Sequence, residues 1–408
     1  MSGRAWSERV RAELERVVDE GRWRAPREFD ARGPVGRLEG APTGVVSFAS
    51  NDYLGLSAHP AVVSAALEAL ERWGTGAGAS RLVTGSRPVH AALEAALAEW
   101  KATEASVLFP TGFAANLGVL CALGGPGVRL FSDELNHASI VDGCRLARAS
   151  LTVYRHGDLG HLSELLAAGA AAGEPLLVVT DTVFSMDGDA TPLGELLPLC
   201  AHYDALVVLD EAHAVLGPHL EDHLASSGAE VVRVGTLSKT LGSLGGFVAG
   251  SRDMADLLVN RARPYIFSTA PTPADAGAAL GALGVLRSAE GAALTDRLAS
   301  LVARLAAAGL APAGHPSPIV PVVLGSEERA LAASAALLAR GLWVPAIRPP
   351  TVPAGTSRLR VTLSAAHSDD DVERLIDALV ELRSEALPIE EAIPIAGTTG
   401  HVAAPTAP

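Results

Sequence analysis

From Val128 to about Val248 the chain alternates short apolar runs with helical stretches, and few folds accept that alternation. The runs are Val128–Phe131, Leu151–Tyr154, Leu176–Thr180, Ala205–Leu209, Val231–Val234 and Phe247–Val248. They argue for an α/β domain on a mostly parallel sheet. Before them come an amphipathic helix over Trp6–Gly21, a strand at Val45–Phe48 and helices from Pro60 to Trp73 and from His90 to Trp100. A strand at Ser106–Phe109 and a helix over Ala114–Leu123 follow. After two long helices (Ala274–Leu286, Leu294–Gly309), Ile319–Leu324, Ala330–Arg340, Trp343–Ile347, Arg358–Leu363 and Asp370–Leu382 form a β-α-β-β-α pattern. That reads as a smaller C-terminal α+β domain. The implied division is an N-terminal helix and arm (1–45), a large domain (46–285), a small domain (286–386) and a disordered tail (387–408) rich in Pro, Ala, Gly and Thr.

Bulk properties exclude several functions. A net charge of −14 argues against extended nucleic-acid binding, which needs a basic face. Cys121, Cys144 and Cys200 form no CxxC pair, as expected of a reduced cytoplasmic protein without a disulfide framework or zinc site. No apolar run reaches the ~18 residues of a membrane helix, and the first twenty residues are too acidic for a signal peptide.

The chemistry centres on Val231–Gly250, VVRVGTLSKTLGSLGGFVAG: strand, polar glycine-rich turn, strand. Lys and Arg total 32, yet only Lys101 and Lys239 are lysine. A chain this biased keeps lysine where arginine fails. A guanidinium stays protonated and forms no Schiff base, so Lys239 is a candidate for covalent catalysis.

Other features fall at the carboxyl ends of strands, where ligands of open α/β sheets bind. The apolar run Leu206–Leu209 delivers Asp210, with His213 three residues on. The string DEAH also occurs in helicases, but the required GxxxxGK[ST] loop is missing. A carboxylate here suits a pyridine nitrogen that must stay protonated, as in pyridoxal phosphate (PLP). Thr111-Gly112-Phe113 opens a helix, whose free N–H groups suit a phosphate. His137 follows another strand and is placed to lie on an aromatic ring. The Gly74–Arg81 loop follows a helix, not a strand, so it is no dinucleotide fingerprint but a loop for close approach to a ligand or partner chain. In AIRPPTVPAGTSRLR (Ala346–Arg360) the prolines stiffen the segment and aim Arg348, a device for gripping a carboxylate.

Together these strings resemble the α-oxoamine synthase family, from about Trp6 to Leu382. The matching segments are SNDYLGL (Ser50–Leu56), GAGASRLVTG (Gly76–Gly85), TGFAAN (Thr111–Asn116), LNHASI (Leu135–Ile140), VFSMDGDATPL (Val183–Leu193), LDEAH (Leu209–His213), GTLSKTLGSLGG (Gly235–Gly246) and YIFSTAPTP (Tyr265–Pro273). The resemblance implies a fold-type I PLP-dependent acyltransferase. It implies that Lys239 holds the cofactor covalently, Asp210 pairs with the pyridine nitrogen, His137 stacks on the ring and His213 bonds the phenolic oxygen. Thr111, Gly112, Phe113, Thr236 and Ser238 would surround the phosphate or the lysine turn, and Ser185 would lie beside the ring. Ser268 and Thr269 would reach the partner's phosphate, making the active unit a homodimer. Arg348, with Thr351, would hold the amino-acid carboxylate, and Arg24 would lie near the acyl chain. Departures are the short, glycine-poor segment Ala214–His219 after His213, and Ala79 where the family often has glycine.

AIRPPTVPAGTSRLR resembles the branch that belongs to biotin synthesis, which joins L-alanine to a pimeloyl thioester of coenzyme A or acyl carrier protein. A sister enzyme using glycine and a short acyl-CoA is the alternative. Arg81, Arg261 and Arg263 are expected at the acyl entrance.

Overall fold

A computed structural model describes residues 5–384 except Pro42, so the expected tail lies outside the described residues. Seven strands form the central sheet, in the spatial order Ala105–Phe109, Gly246–Gly250, Val231–Thr236, Leu206–Asp210, Leu176–Asp181, Arg129–Asp133, Ser150–Tyr154. Gly246–Gly250 runs antiparallel to both neighbours and the other pairings are parallel. The inner strands Leu176–Asp181 and Leu206–Asp210 are apolar up to their carboxyl ends because both faces are covered. Val179, Val208 and Val232 pack with Val119 and Leu120 of the helix Gly112–Leu123 on one face. Val178, Val207 and Leu209 pack with Leu162, Leu166 and Leu196 on the other.

The small domain carries the antiparallel sheet Ile319–Gly325, Ser357–Thr362, Ala346–Ile347. Helices Ala289–Ala307, Glu327–Ala339 and Asp369–Ser384 accompany it. The expected single strand Trp343–Ile347 is instead two, Leu342–Trp343 and Ala346–Ile347, in different sheets. Pro345 lies between them, and its missing N–H interrupts a ladder. Leu342–Trp343 pairs in parallel with Gly44–Ser47, which closes a four-stranded sheet with Phe29–Ala31 and Val35–Leu38. Those last two strands are too short for a two-residue period to announce them. The N-terminal helix spans Ala5–Asp19 and buries none of its residues in this chain. No helix among the described residues is long and apolar enough to cross a membrane.

Two joins tie the small domain to the large one at the sheet's carboxyl edge. Arg360 Nε donates to Ser185 O (2.6 Å), and Arg358 Nη1 pairs with Asp187 and reaches Met186 O (3.3 Å). Both arginines sit on the same pleat of Ser357–Thr362, so one face of that strand meets the turn after Leu176–Asp181.

Candidate active site

Strand Val231–Thr236 ends in the turn that carries Lys239. The turn is tight because Gly242 has φ +58° and a Cβ there would meet Ser57 N at 2.3 Å. Lys239 Nζ lies 2.7 Å from His213 Nε2. His213 Nδ1 is 2.5 Å from the Tyr53 hydroxyl, which also lies 3.1 Å from Asn51 Oδ1. One hydrogen arrangement satisfies all three bonds: Nζ donates to Nε2, Nδ1–H to the phenol oxygen, and the phenol O–H to Asn51. His213 is then neutral, and burial together with the charges of Lys239 and Arg360 pushes its pKa well below the usual histidine value. Burial raises the Tyr53 phenol. Burial also lowers the Lys239 amine, against the pull of Asp210 and Asp181.

Asp210 ends its strand buried, accepting from Asn116 Nδ2 (2.6 Å) and Ala212 N (2.9 Å). Its register partner in the next strand is Asp181, a second buried carboxyl. Burial and the neighbouring Asp210 raise the pKa of Asp181 far above the carboxylate range. Asp181 Oδ2 accepts from His137 N (2.8 Å). His137 caps the helix Ala138–Leu146: its Nδ1 accepts from Ser139 N (3.2 Å) and lies 2.7 Å from Ser139 Oγ. Burial lowers its pKa, with Asp210 and Lys239 acting on it in opposite senses. Lys239, Asp210, His137 and His213 therefore share one electrostatic site.

A third group lies at the N-terminus of Gly112–Leu123. Thr111 caps it by accepting from Ala114 N (3.0 Å), which leaves Gly112 N–H and Phe113 N–H without partners among the described residues. Thr236 Oγ1 lies 2.7 Å from Ser238 Oγ, and a Cβ on Gly112 would meet Thr236 Cβ at 3.1 Å. Free N–H groups and two hydroxyls make an anion cradle. The donor set fits PLP: an amine for its carbonyl, a buried acid for its ring nitrogen, an imidazole for its face and this cradle for its phosphate.

Other expected residues lie elsewhere. Ser185 reaches the site rim through its carbonyl on Arg360. Arg348 donates to Gly21 O (2.9 Å) and lies 3.4 Å from Glu327 Oε2. Thr351 is exposed, its N–H on Arg348 O (3.0 Å), and Arg24 is exposed without a hydrogen bond to the described residues. Ser268 is half-buried and Thr269 exposed; Thr269 pairs with Ser80, and neither bonds the Lys239 cluster of its own chain. Arg81 is buried in a two-pronged pair with Glu94 (2.9 and 2.8 Å), so it is not open to an acyl thioester as expected. Arg261 and Arg263 are exposed. After His213 the short segment turns through a cis Gly217–Pro218 bond.

Arg360 was not among the residues expected from sequence. Arg360 is 5% exposed, and its guanidinium bonds Ser185 O, Thr362 Oγ1 (2.9 Å) and Asn51 Oδ1 (3.1 Å), with no carboxylate partner. It acts electrostatically on Lys239 and His213. The available signal was two arginines two apart in a short, otherwise apolar strand. Asn116 and Asp181 were also missed, although Asp181 ends an apolar run as Asp210 does.

The sequence model for aminotransferase class I and II matches residues 43–379. An 8-amino-7-oxononanoate synthase from Anaeromyxobacter sp. (strain K) is 50% identical over 392 residues, covering 93% of this chain and 97% of the relative. A serine palmitoyltransferase from S. paucimobilis, solved with a bound PLP–myriocin aldimine, superposes with a TM-score of 0.84 at 29% identity, covering 94% of this chain and 99% of that one. An 8-amino-7-oxononanoate synthase from Francisella tularensis gives a TM-score of 0.69 at 26% identity, covering 84% and 98%.

Proposed function

The chain belongs to the aminotransferase class I and II family, within its α-oxoamine synthase group, and on that premise we propose that it joins L-alanine to a pimeloyl thioester. The products are 8-amino-7-oxononanoate, carbon dioxide and the free thiol, the condensation step of biotin synthesis. The observation that carries this reading is a half-buried amine, Lys239, 2.7 Å from a neutral His213 and sharing its pocket with Asp210 and an acid-free Arg360.

PLP, when bound, supplies an electron sink for negative charge at the amino acid's α-carbon. Lys239 reacts with a carbonyl only as the free amine, which desolvation favours, and the same amine would take the α-proton. Asp210 holds the proton of the ring nitrogen, and Asn116 and Ala212 N fix its carboxylate. His137, held by Asp181 on its backbone and Ser139 on its side chain, would lie against the ring. Gly112 N, Phe113 N, Thr236 and Ser238 hold the phosphate, joined by the partner's Ser268 and the partner's Thr269 in a homodimer. Thr269 pairs with Ser80, and neither residue bonds the Lys239 cluster of its own chain, which is in keeping with that assembly. Arg360 takes the substrate carboxylate; Arg348 and Thr351 support the small-domain wall, and Arg24 lies toward the acyl chain. In the reaction the α-carbon gives up its proton and bonds to the acyl carbon, the C–S bond breaks and the thiolate leaves to take up a proton, the carboxylate departs as carbon dioxide, and a proton takes its place on the α-carbon. We place the enzyme in the cytoplasm, in keeping with its unpaired Cys121, Cys144 and Cys200.

The test is product analysis. Protein reconstituted with PLP is offered alanine or glycine with pimeloyl-CoA, pimeloyl-acyl carrier protein or acetyl-CoA, and products are read by mass spectrometry. Alanine with a pimeloyl donor is expected to dominate; preference for glycine with acetyl-CoA would overturn the reading.

A further inference from the structure

Two turns face Lys239 from neighbouring strand ends. One follows Arg129–Asp133 and carries His137; the other follows Leu176–Asp181 and carries Ser185. A single imidazole joins them. His156 stands two residues beyond the edge strand Ser150–Tyr154, its side chain 19% exposed. Its Nδ1 lies 3.0 Å from Asp133 Oδ1 and its Nε2 2.8 Å from Asp189 Oδ2. The ring meets Phe184 edge-on, with centroids 4.4 Å apart and planes at 84°.

Both ends of this clamp are anchored. Asp133 also accepts from Leu135 N (2.9 Å) and Gly157 N (3.1 Å), which fixes the start of the His137 turn. Phe184 N donates to Asp189 O (3.0 Å), which closes the Ser185 turn. From the other side that turn is gripped by Arg358 and Arg360 of the small domain. The path runs from the turn of His137, which Asp133 holds at Leu135 N, through His156 to Asp189, which holds Phe184 N, and from Ser185 O to Arg360. Imidazole suits the middle of it because its two N–H groups point apart on a short, rigid ring and serve two acids on opposite sides. Both nitrogens donate to carboxylates, so the ring is a cation. Burial opposes that charge, but the bonds to Asp133 and Asp189 prevail and push the pKa up to about 10. The other titratable groups nearby are His315, whose pKa burial lowers despite Asp189, Asp181, which feels Asp133, and Arg155, which turns outward to Asp158.

We infer that His156 is a positioning residue for amino-acid binding: it sets the spacing of the His137 and Ser185 turns, and through Ser185 O it sets where Arg360 presents its guanidinium. The inference rests on reading Arg360 as the carboxylate clamp.

The experiment compares wild type, His156→Ala and Asp189→Asn. Cofactor affinity, the Kd of L-alanine from titration of the cofactor band, and the KM of each substrate are measured on PLP-reconstituted protein. Amide hydrogen exchange over residues 184–189 is measured on cofactor-free protein, so one readout needs no turnover. In His156→Ala the alanine Kd and KM should rise about 10-fold or more, with thioester KM and cofactor affinity within about 3-fold of wild type. Exchange over 184–189 should quicken about 10-fold or more. Asp189→Asn keeps the shape and one neutral bond, so it should shift the alanine parameters in the same direction by a smaller factor; it decides the matter should His156→Ala fail to fold. Unchanged alanine Kd in either soluble variant, or equal loss in every parameter alongside a lowered melting temperature, overturns the inference. Wild-type protein that binds no amino acid sinks the Arg360 reading as well; alanine binding that ignores His156 sinks this inference alone.

Discussion

Replacing Arg360 probes the substrate end of the site most directly. Three of its N–H groups are used, on Ser185 O, Thr362 Oγ1 and Asn51 Oδ1, and all three acceptors are uncharged. A guanidinium carries five donors, so two hydrogens remain for a carboxylate, which competes for them with the Tyr53 hydroxyl. A two-pronged bond to a carboxylate in a dry pocket contributes about 3–4 kcal/mol. At about 1.4 kcal/mol per decade, Arg360→Ala should lower kcat/KM for alanine about 10²–10³-fold, chiefly through KM. Arg360→Lys keeps charge without the fork and should lose about 10-fold. Removing Arg360 also orphans Ser185 O, a cost of about 1–3 kcal/mol, so thermal melts accompany the kinetics. Arg348→Ala is the matched control: its guanidinium is occupied by Gly21 O and Glu327, and alanine KM should change less than about 3-fold. Initial rates over an alanine series decide. Intact alanine KM in a folded Arg360→Ala protein, or the full loss in Arg348→Ala instead, refutes the reasoning.

Lys239→Ala should abolish turnover and the visible band of imine-bound cofactor; surviving turnover would remove Lys239 from the chemistry. Glu211 holds Lys101 (2.8 Å) and Arg233 (2.6 Å) in a buried network behind Asp210. Glu211→Gln leaves two buried cations with only Glu221 and should cost about 3–5 kcal/mol, read as a fall in melting temperature. For the His156 clamp the folded pKa of about 10 lies above the ordinary 6.5, so its stabilisation is full below pH 6.5 and fades as pH rises toward 10. After discounting for partial exposure it amounts to a few kcal/mol at most, on the order of 2–4. The stability gap between wild type and His156→Gln should therefore be widest below pH 6.5 and close near pH 10; a gap that widens with pH contradicts the clamp.

The sequence showed those parts of the molecule whose cause is local. Apolar runs between helices declared the sheet, because strands covered on both faces must be apolar throughout. Asp210, His137 and Thr111 were visible because each sits where such a run stops. Lys239 stood out by rarity. What stayed hidden depends on distant partners. Arg360 in its strand reads like Arg358, yet one meets Asp187 and the other meets no acid, and only packing separates them. Tyr53 lay inside a recognised turn, but its place behind His213 spans 160 residues of chain. Arg81 reads as a free cation in a glycine loop until the fold brings Glu94 against it. Leu342–Trp343 pairs with Gly44–Ser47 across the whole chain, so its separation from Ala346–Ile347 has no local sign beyond Pro345.

The pocket also explains why an arginine-rich chain keeps a lysine here and an arginine across from it. Arg360 is buried and Lys239 half-buried, and desolvation lowers both pKa values. Desolvation acts on very different starting points, about 10.4 for an amine and above 12 for a guanidinium. The same dry environment therefore moves lysine toward the neutral form that attacks a carbonyl, while arginine keeps the charge that holds a carboxylate. The charge on Arg360 adds to the effect, because it lowers the pKa of both Lys239 and His213. Exchange of the two residue types fails at each position for opposite reasons. An arginine at 239 stays protonated and cannot add to a carbonyl, and a lysine at 360 gives up the fork and moves closer to losing its charge.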